Sequence, residues 1–256
     1  QRDRDRTIVR ANFDGSSLQP IEFPLVLEQD ESFRADVAAV TKDEKFVYWL
    51  NRQRNRIERI ELPRQDENSS EQEEPRLPER IVGGKHVPVY PVDFAIDGDS
   101  LFWAEYVPTR SGTQSRIRRA KLDGSQEKTL ATFSAKVTGL ALDRAGETVF
   151  WTYRKSASTD TKTAGAIGRV DYEGAQQQDD LINKRIGVPS SIAVDSVGGQ
   201  IYWTEPESGF LRTAQLDGSN VRKVTLRGDQ EPSSVAVDGA NQRLYWTDLR
   251  TAPEAE

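Results

Sequence analysis

The chain contains five tryptophans, and each ends a short apolar phrase in which Tyr or Phe directly precedes the Trp. The positions are Trp49, Trp103, Trp151, Trp203 and Trp246. The gaps between them are 54, 48, 52 and 43 residues, within or just above the period of radially repeated four-stranded sheets. The spacing therefore predicts an internal repeat of β-sheet units.

Composition agrees with one all-β domain. The chain has 256 residues, of which 36% are hydrophobic and 30% are charged. Repeats that bury surface against their neighbours form one large domain, so we predict a single domain over residues 1–256. No apolar run reaches the roughly 18 residues that a membrane helix needs, and no membrane span is expected. The absence of Cys excludes disulfides, thiolate-bound zinc and a Cys nucleophile.

The sequence on either side of each Trp completes the repeat. Before the Trp, a short apolar run ends in an acid, at Asp97, Asp143, Asp195 and Asp238. These runs are too short for helices and are predicted to be the inner strands of the units. After the Trp, a third strand leads through a hairpin turn, clearest at Asp217-Gly218, into a fourth strand at 221–226. Asp-Gly is a strong hairpin signal because both central residues of that turn favour φ > 0.

These residues resemble a known family. An apolar-Ala-apolar-Asp run, then Tyr-Trp-Thr-Asp, then Leu-Asp-Gly-Ser is similar to the YWTD repeat, the class B repeat of low-density lipoprotein receptors. The likeness spans residues 7–248; the last repeat keeps the full tetrapeptide and ends in Asp248, whereas Leu50 and Tyr153 replace the acid in two others. The resemblance implies a β-propeller of the six-bladed TolB-like superfamily. Structural roles are expected for the five Trp residues, the four strand-ending Asp residues and Asp248.

The two ends of the chain each supply half a unit. The N-terminal part begins with a third strand at 6–12 and a fourth at 17–23, whereas the C-terminal part stops after a second strand at Asp248. Pairing the two halves would close the ring and cover exposed sheet edges. We therefore predict five blades, or six if flanking sequence carries another.

The loops sort onto two faces. Connections between second and third strands share a face with those between blades, and there Arg and aromatic residues combine, as they do in binding hot spots. The candidate partner-binding residues are Arg52, Arg54, Arg56, Tyr106, Arg110, Tyr153, Arg154, Lys155, Phe210 and Arg250. The opposite face carries a predicted disordered acidic insertion at 64–80. The chain, with formal net charge -6, is thus predicted to be electrically polar and to bind a protein partner through an acidic segment of that partner. The alternative is that these charges only keep the loops soluble.

Two other function classes have weaker support. Some propellers hydrolyse lactones or esters with a bound metal, but the strand-ending Asp residues recur at one equivalent position, as turn residues do, and do not vary to suit one metal. No catalytic residue, cofactor or metal site is predicted, and the lone His86 cannot form a His cluster. Nucleic-acid binding is disfavoured by the net acidity.

The sequence therefore favours a non-catalytic recognition module or an assembly subunit of a larger complex. Asn68, in Asn68-Ser69-Ser70, is a candidate glycosylation acceptor. This motif and the resemblance together indicate the extracellular space or a secretory or organelle lumen.

Overall fold

A computed structural model describes residues 9–10, 19–20, 35–40, 45–52, 54–61, 79–82, 89–155, 160, 163–226 and 230–249. The chain divides into two compact units, residues 1–91 and 92–256. The single domain over 1–256 stays a prediction.

The first unit contains a two-stranded hairpin and one four-stranded sheet. The hairpin pairs β1 (Val9–Arg10) antiparallel with β2 (Gln19–Pro20), and sheet 1 consists of β3 (Ala35–Val40), β4 (Phe46–Asn51), β5 (Arg56–Glu61) and β6 (Glu79–Val82). The acidic insertion was predicted to reach residue 80. Glu79 and Arg80, the last two residues of that range, belong to β6, and Glu79 accepts a hydrogen bond of 2.9 Å from Arg59 Nε. Residues 62–78 lie outside the described residues.

The second unit repeats the same meander, in which each strand pairs antiparallel with the next. Sheet 2 consists of β7 (Tyr90–Asp97), β8 (Ser100–Thr109), β9 (Gly112–Lys121) and β10 (Lys128–Phe133). Sheet 3 consists of β11 (Ala135–Asp143), β12 (Thr148–Lys155), β13 (Gly165–Asp171) and β14 (Gln178–Ile182). Sheet 4 consists of β15 (Ser191–Asp195), β16 (Gln200–Glu205), β17 (Phe210–Gln215) and β18 (Arg222–Lys223), and sheet 5 pairs β19 (Pro232–Asp238) with β20 (Arg243–Asp248).

The meander gives each sheet two ends. At the upper end, the second strand turns into the third and the fourth strand leads to the next sheet. At the lower end lie the turns between first and second strands and between third and fourth strands. Within the second unit, the first strands of sheets 3, 4 and 5 lie beside one another. Thr204 Oγ1 joins sheets 4 and 5 by donating to the Ser233 carbonyl at 2.8 Å.

Each tryptophan lies in the middle of the second strand of its sheet. Trp49, Trp103, Trp151 and Trp203 are fully buried, but Trp246 is 37% exposed. Trp246 differs because β20 has only β19 as a partner strand in the part of the chain that the structure describes. Pairing between the terminal strands to close a ring stays a prediction.

The hairpins at the lower ends differ in turn type from the prediction. Of the two residues in each predicted turn only the glycine has positive φ, at +83° for Gly124, +73° for Gly174 and +84° for Gly218, whereas positive φ was expected at both. In sheet 2 the Gly124 N–H donates to the Lys121 carbonyl and the Lys121 N–H to the Ser125 carbonyl. This is a type I turn followed by a left-handed Gly, the usual three-residue hairpin loop.

Among the described residues, no helix has the length and apolar character that crossing a membrane requires.

Candidate functional site: the upper ends of the sheets

The strand register decides which residues reach the upper ends. Side chains alternate between the two faces of a strand, so the residue two positions after each Trp shares its face. The residue three positions after each Trp lies at the upper end of the second strand: Arg52, Tyr106, Arg154, Pro206 and Leu249. Three predicted site residues, Arg52, Tyr106 and Arg154, therefore occupy one equivalent position.

Buried carboxylates lie directly below this position in sheets 2 and 4. Trp103 Nε1 donates to Glu105 at 2.7 Å, and Trp203 Nε1 donates to Glu205 at 2.9 Å. Arg212, opposite Trp203 on β17, pairs with Glu205 at 2.8 Å. Burial raises the pKa of Glu105, opposed by the hydrogen bond from Trp103 and the charge of Arg118. Each carboxylate thus sits in a buried Trp-Glu-Arg group.

Sheet 1 contains a similar buried group, but its acid lies on the third strand and not two residues after the Trp. Trp49 Nε1 donates to Glu58 at 3.0 Å, and Glu58 lies on the third strand, directly opposite the Trp. Asn51, not Leu50, stands at the acid position two residues after Trp49, and its Nδ2 donates to Glu58 at 3.0 Å. The prediction that Leu50 replaces the acid was wrong by one residue. Because Leu50 is the neighbour of Trp49, it points to the other face of the strand, where it is fully buried.

Sheet 3 has no such group. Gly168 lies opposite Trp151, and a Cβ at Gly168 would come within 2.4 Å of the Trp151 ring. Among the described residues Trp151 Nε1 has no hydrogen-bond partner, and Phe133 stacks on the indole with ring centroids 5.3 Å apart. Tyr153, at the acid position, donates its hydroxyl to Asp180 at 2.7 Å.

Tyr153 was predicted to contact a partner, but it is only 6% exposed. Its ring packs against Phe133 at 5.2 Å, and burial together with the hydrogen bond to Asp180 raises its pKa. The residue lies inside because it shares the face of Trp151. The structure therefore places Tyr153 in the core below the upper surface.

Exposed cations gather at the upper ends of sheets 2 and 3. Lys136 on β11 lies directly opposite Arg154 on β12, and Lys136 Nζ is 5.5 Å from the centroid of the Tyr106 ring. Lys155 donates to the Asn183 carbonyl at 2.6 Å. The upper cations of these two sheets are Arg110, Lys136, Arg154, Lys155, Lys184 and Arg185. Within the described residues none of these six is recorded in an ion pair.

At the lower ends of the same sheets, several cations are neutralised. Glu173 pairs with Arg119 at 2.7 Å and with Lys128 at 3.1 Å. Arg144 lies 3.6 Å from Asp97, which also accepts a hydrogen bond of 2.9 Å from Tyr172. Three lower cations of these sheets thus lie in recorded ion pairs, whereas none of the six upper cations does.

The other predicted site residues lie in different settings. Arg52 is exposed, whereas Arg56 pairs with the buried Glu58, and the Arg54 N–H donates to Asn51 Oδ1 at 3.0 Å. Lys223 Nζ sits 3.2 Å from the centroid of the Phe210 ring. Arg250, Asn68 and His86 lie outside the described residues.

Lys136, Lys184 and Arg185 were not predicted because the candidate residues were those that follow each Trp. Lys184 and Arg185 lie on the connection between β14 and β15, and Lys136 lies at the start of β11, at the end of the sheet already assigned to the same face as the loops after the Trp strands. That assignment was the available signal.

The recurring carboxylates make local hydrogen bonds. Asp195 accepts the Val197 and Gly198 N–H groups at 3.1 and 2.8 Å, Asp238 accepts the Asn241 N–H at 3.1 Å, and Asp248 accepts the Glu231 N–H at 2.9 Å. Asp143 is buried, and no hydrogen-bond partner of its Oδ1 lies among the described residues. In that same part of the chain, no group of three or more His, Cys, Asp or Glu side chains could hold a metal ion.

Comparison with known proteins found relatives over part of the chain. No protein-family model matches. The chain is 30% identical over 148 residues, 52% of its length, to Protein cueball of Drosophila grimshawi, and 27% identical over 137 residues, 50% of its length, to Protein cueball of Drosophila virilis. The matches span 21% and 19% of those proteins, so the matching half of the chain corresponds to about a fifth of each.

Solved structures show the fold. A chain of the nidogen/laminin complex matches with a TM-score of 0.56 and 22% identity over 76% of this chain and 67% of that one. A catalytically inactive virginiamycin B lyase from Staphylococcus aureus matches with a TM-score of 0.57 and 14% identity over 94% and 70%. TolB from Acinetobacter baumannii matches with a TM-score of 0.55 and 17% identity over 88% and 50%. The predicted all-β propeller fold is confirmed by these neighbours and by the four-stranded sheets. The chain therefore has the β-propeller fold that its resemblance to the YWTD repeat predicts.

Proposed function

We propose that the chain is a non-catalytic protein-recognition or assembly module that binds a protein partner through the upper ends of its sheets. The observation that carries this proposal is the set of upper cations of sheets 2 and 3, of which Lys136 lies beside Tyr106 and none is recorded in an ion pair within the described residues. Arg and aromatic side chains together favour protein binding, and a concentrated positive field speeds encounter with an acidic partner. The nidogen/laminin neighbour, a propeller crystallised in a protein complex, supports the same class of function.

The test uses charge reversal. The protein is immobilised, the partner from its native source is identified by mass spectrometry, and association rates are measured at low salt. Substituting Arg52, Arg54 and Arg154 with Glu is expected to slow association about tenfold or more. The matched control reverses three exposed cations at the lower ends, Lys121, Arg222 and Arg243. Equal association rates for wild type and the upper-end variant would contradict the proposal.

An enzyme is the alternative, and the lyase neighbour is the observation that favours it. The lyase was inactivated by replacing a His, and this chain has one His in total. The test is hydrolysis of a panel of lactones and esters. If the chain hydrolyses them and a chelator abolishes this activity, a metal-dependent enzyme would replace the recognition proposal. A polyanion binder would instead show affinity for nucleic acid that falls steeply with salt.

The proposal extends to domain organisation and location. The register of β1 with β2, Val9 opposite Pro20, has the same 11-residue separation as Arg118 opposite Thr129 in sheet 2. By this match Arg10 corresponds to Arg119, which lies opposite Phe102. Tyr245 precedes Trp246 as Phe102 precedes Trp103, so ring closure would place Arg10 opposite Tyr245. Because the chain has no Cys, the Arg10→Cys, Tyr245→Cys variant should form a disulfide, and the register-shifted Arg10→Cys, Leu244→Cys control should not.

Mass spectrometry of Asn68 in native protein tests a secretory or extracellular location.

A further inference from the structure

Two like charges face each other across the first two strands of sheet 3. Lys136 and Arg154 are directly opposite in the antiparallel register and both are exposed. Directly opposed residues share a face of the sheet, with Cβ atoms about 4.5–5.5 Å apart, and like charges there are destabilising. The two cations therefore repel each other across the strands, and no ion pair of either is recorded among the described residues.

The backbone on both sides of this pair is held in place. Ser115 Oγ donates to the Ala135 carbonyl at 2.6 Å and accepts the Val137 N–H at 3.1 Å, which fixes both neighbours of Lys136. On the other strand, Arg154 follows the buried and hydrogen-bonded Tyr153. The register shifts between Val137 and Gly139, a β-bulge of the kind often found beside functional sites. The two cations are thus presented by rigid strands.

We propose that Lys136 and Arg154 form a clamp for an Asp or Glu carboxylate in an acidic segment of a partner protein, with Tyr106 beside it. This inference rests on the proposed function. The guanidinium supplies a planar pair of donors and the ammonium supplies a point charge, so a carboxylate between them is bound by charge-assisted hydrogen bonds. The seated carboxylate also relieves the repulsion. The clamp therefore destabilises the free protein slightly and is stabilised when occupied.

Binding is tested with fluorescein-labelled oligo-glutamate by fluorescence anisotropy. We expect Lys136→Glu to weaken binding about tenfold or more, and Lys136→Gln to weaken it less. The matched control, Lys121→Glu, makes the same charge change on an exposed strand residue at the lower end and should leave affinity within about twofold. Equal loss in Lys136→Glu and Lys121→Glu would mean diffuse attraction and overturn the clamp. Equally tight binding of single-stranded DNA of matched charge would overturn the assignment to an acidic peptide.

Thermal unfolding gives a second measurement that needs no partner. Lys136→Glu places a carboxylate opposite Arg154 and should raise Tm by about 1–3 °C, while Lys136→Gln should raise it less. A lowered Tm in both variants would overturn the inference, because the pair would then be stabilising. A stabilised variant that loses peptide binding supports it.

The native partner separates this inference from the proposed function. If wild type and Lys136→Glu bind the identified partner equally while the Arg52, Arg54 and Arg154 variant does not, the clamp is wrong and the proposed function stands. If no variant changes binding of that partner, both fail.

Discussion

Sheets 3 and 4 have the same strand order and bury their central Trp completely, but they do so by different means. Trp203 lies opposite Arg212 and donates to Glu205, which is 1% exposed. Trp151 lies opposite Gly168 and stacks against Phe133, and its N–H has no partner in the part of the chain that the structure describes. One sheet is organised around a buried ion pair and the other around close ring packing.

The two sheets also differ in their charged residues. In sheet 4 the acid two residues after the Trp pairs with a strand arginine, so positive charge is neutralised inside. In sheet 3 Tyr153 replaces that acid, and no carboxylate is recorded in an ion pair with Arg154 or Lys136 among the described residues. The loss of a structural acid in one repeat thus coincides with unneutralised cations on its upper end.

The largest effect is expected from removing the acid of sheet 4. Glu205→Leu leaves the buried Arg212 guanidinium without its partner and removes the acceptor for Trp203 and for the Gly187 N–H. The free energy of unfolding should fall by about 3–5 kcal/mol. Tyr153→Phe, which deletes only a hydroxyl at the equivalent place in sheet 3, should cost about 1 kcal/mol. Urea unfolding of both variants checks this, and a larger loss for Tyr153→Phe would invert the comparison.

A methyl group added in sheet 3 comes next. Gly168→Ala places a Cβ within 2.4 Å of the Trp151 ring and 2.8 Å of the Asp179 carbonyl, so the indole must move. We expect a loss of about 2–3 kcal/mol in urea unfolding. Gly98→Ala is the control, because nothing lies within 4 Å of its added Cβ and only its φ of +53° is unfavourable, at about 1 kcal/mol. Equal losses would mean that Gly168 is not required for packing.

A third prediction isolates the indole hydrogen bond. Trp203→Phe and Trp151→Phe remove similar apolar area, but only the first removes a donor to a buried carboxylate. Trp203→Phe should therefore cost about 1.5 kcal/mol more than Trp151→Phe. Equal costs in denaturant unfolding would show that the Trp-Glu bond contributes nothing to stability.

The smallest effect concerns alkaline pH. Burial and the hydrogen bond to Asp180 raise the pKa of Tyr153, so the folded protein keeps this proton where the unfolded chain starts to lose it. This contribution to stability is complete below about pH 10 and is lost as pH rises further. Tyr153→Phe should flatten the decline in unfolding free energy above pH 10. Tyr172, whose pKa is raised by burial and its bond to Asp97, should leave a residual slope. The control is Tyr245→Phe, because Tyr245 is half-exposed. If Tyr153→Phe leaves the slope of unfolding free energy against pH unchanged, this account is contradicted.

Much of the architecture was predictable because local patterns decide it. The Trp spacing, the apolar runs before each Trp and the Gly of the hairpins marked strands and turns that the structure confirms. The candidate site was predictable only in part. Arg154 and Tyr106 were found from their place after the Trp, whereas Lys136 was missed because its proximity to both depends on pairing across two strands and two sheets.

The sequence by itself determined the repeat, the all-β fold and the basic character of the loops after the Trp strands, since each follows from residue type and spacing along the chain. Tertiary packing decided which of those residues are exposed and outside ion pairs, and so could contact a partner. Tyr153 points inward because it shares the face of Trp151, and Arg56 forms an ion pair with the buried Glu58. Lys136 lies opposite Arg154 because β11 pairs with β12. Burial and ion pairing depend on the neighbours that a side chain meets in space, and strand pairing chooses those neighbours.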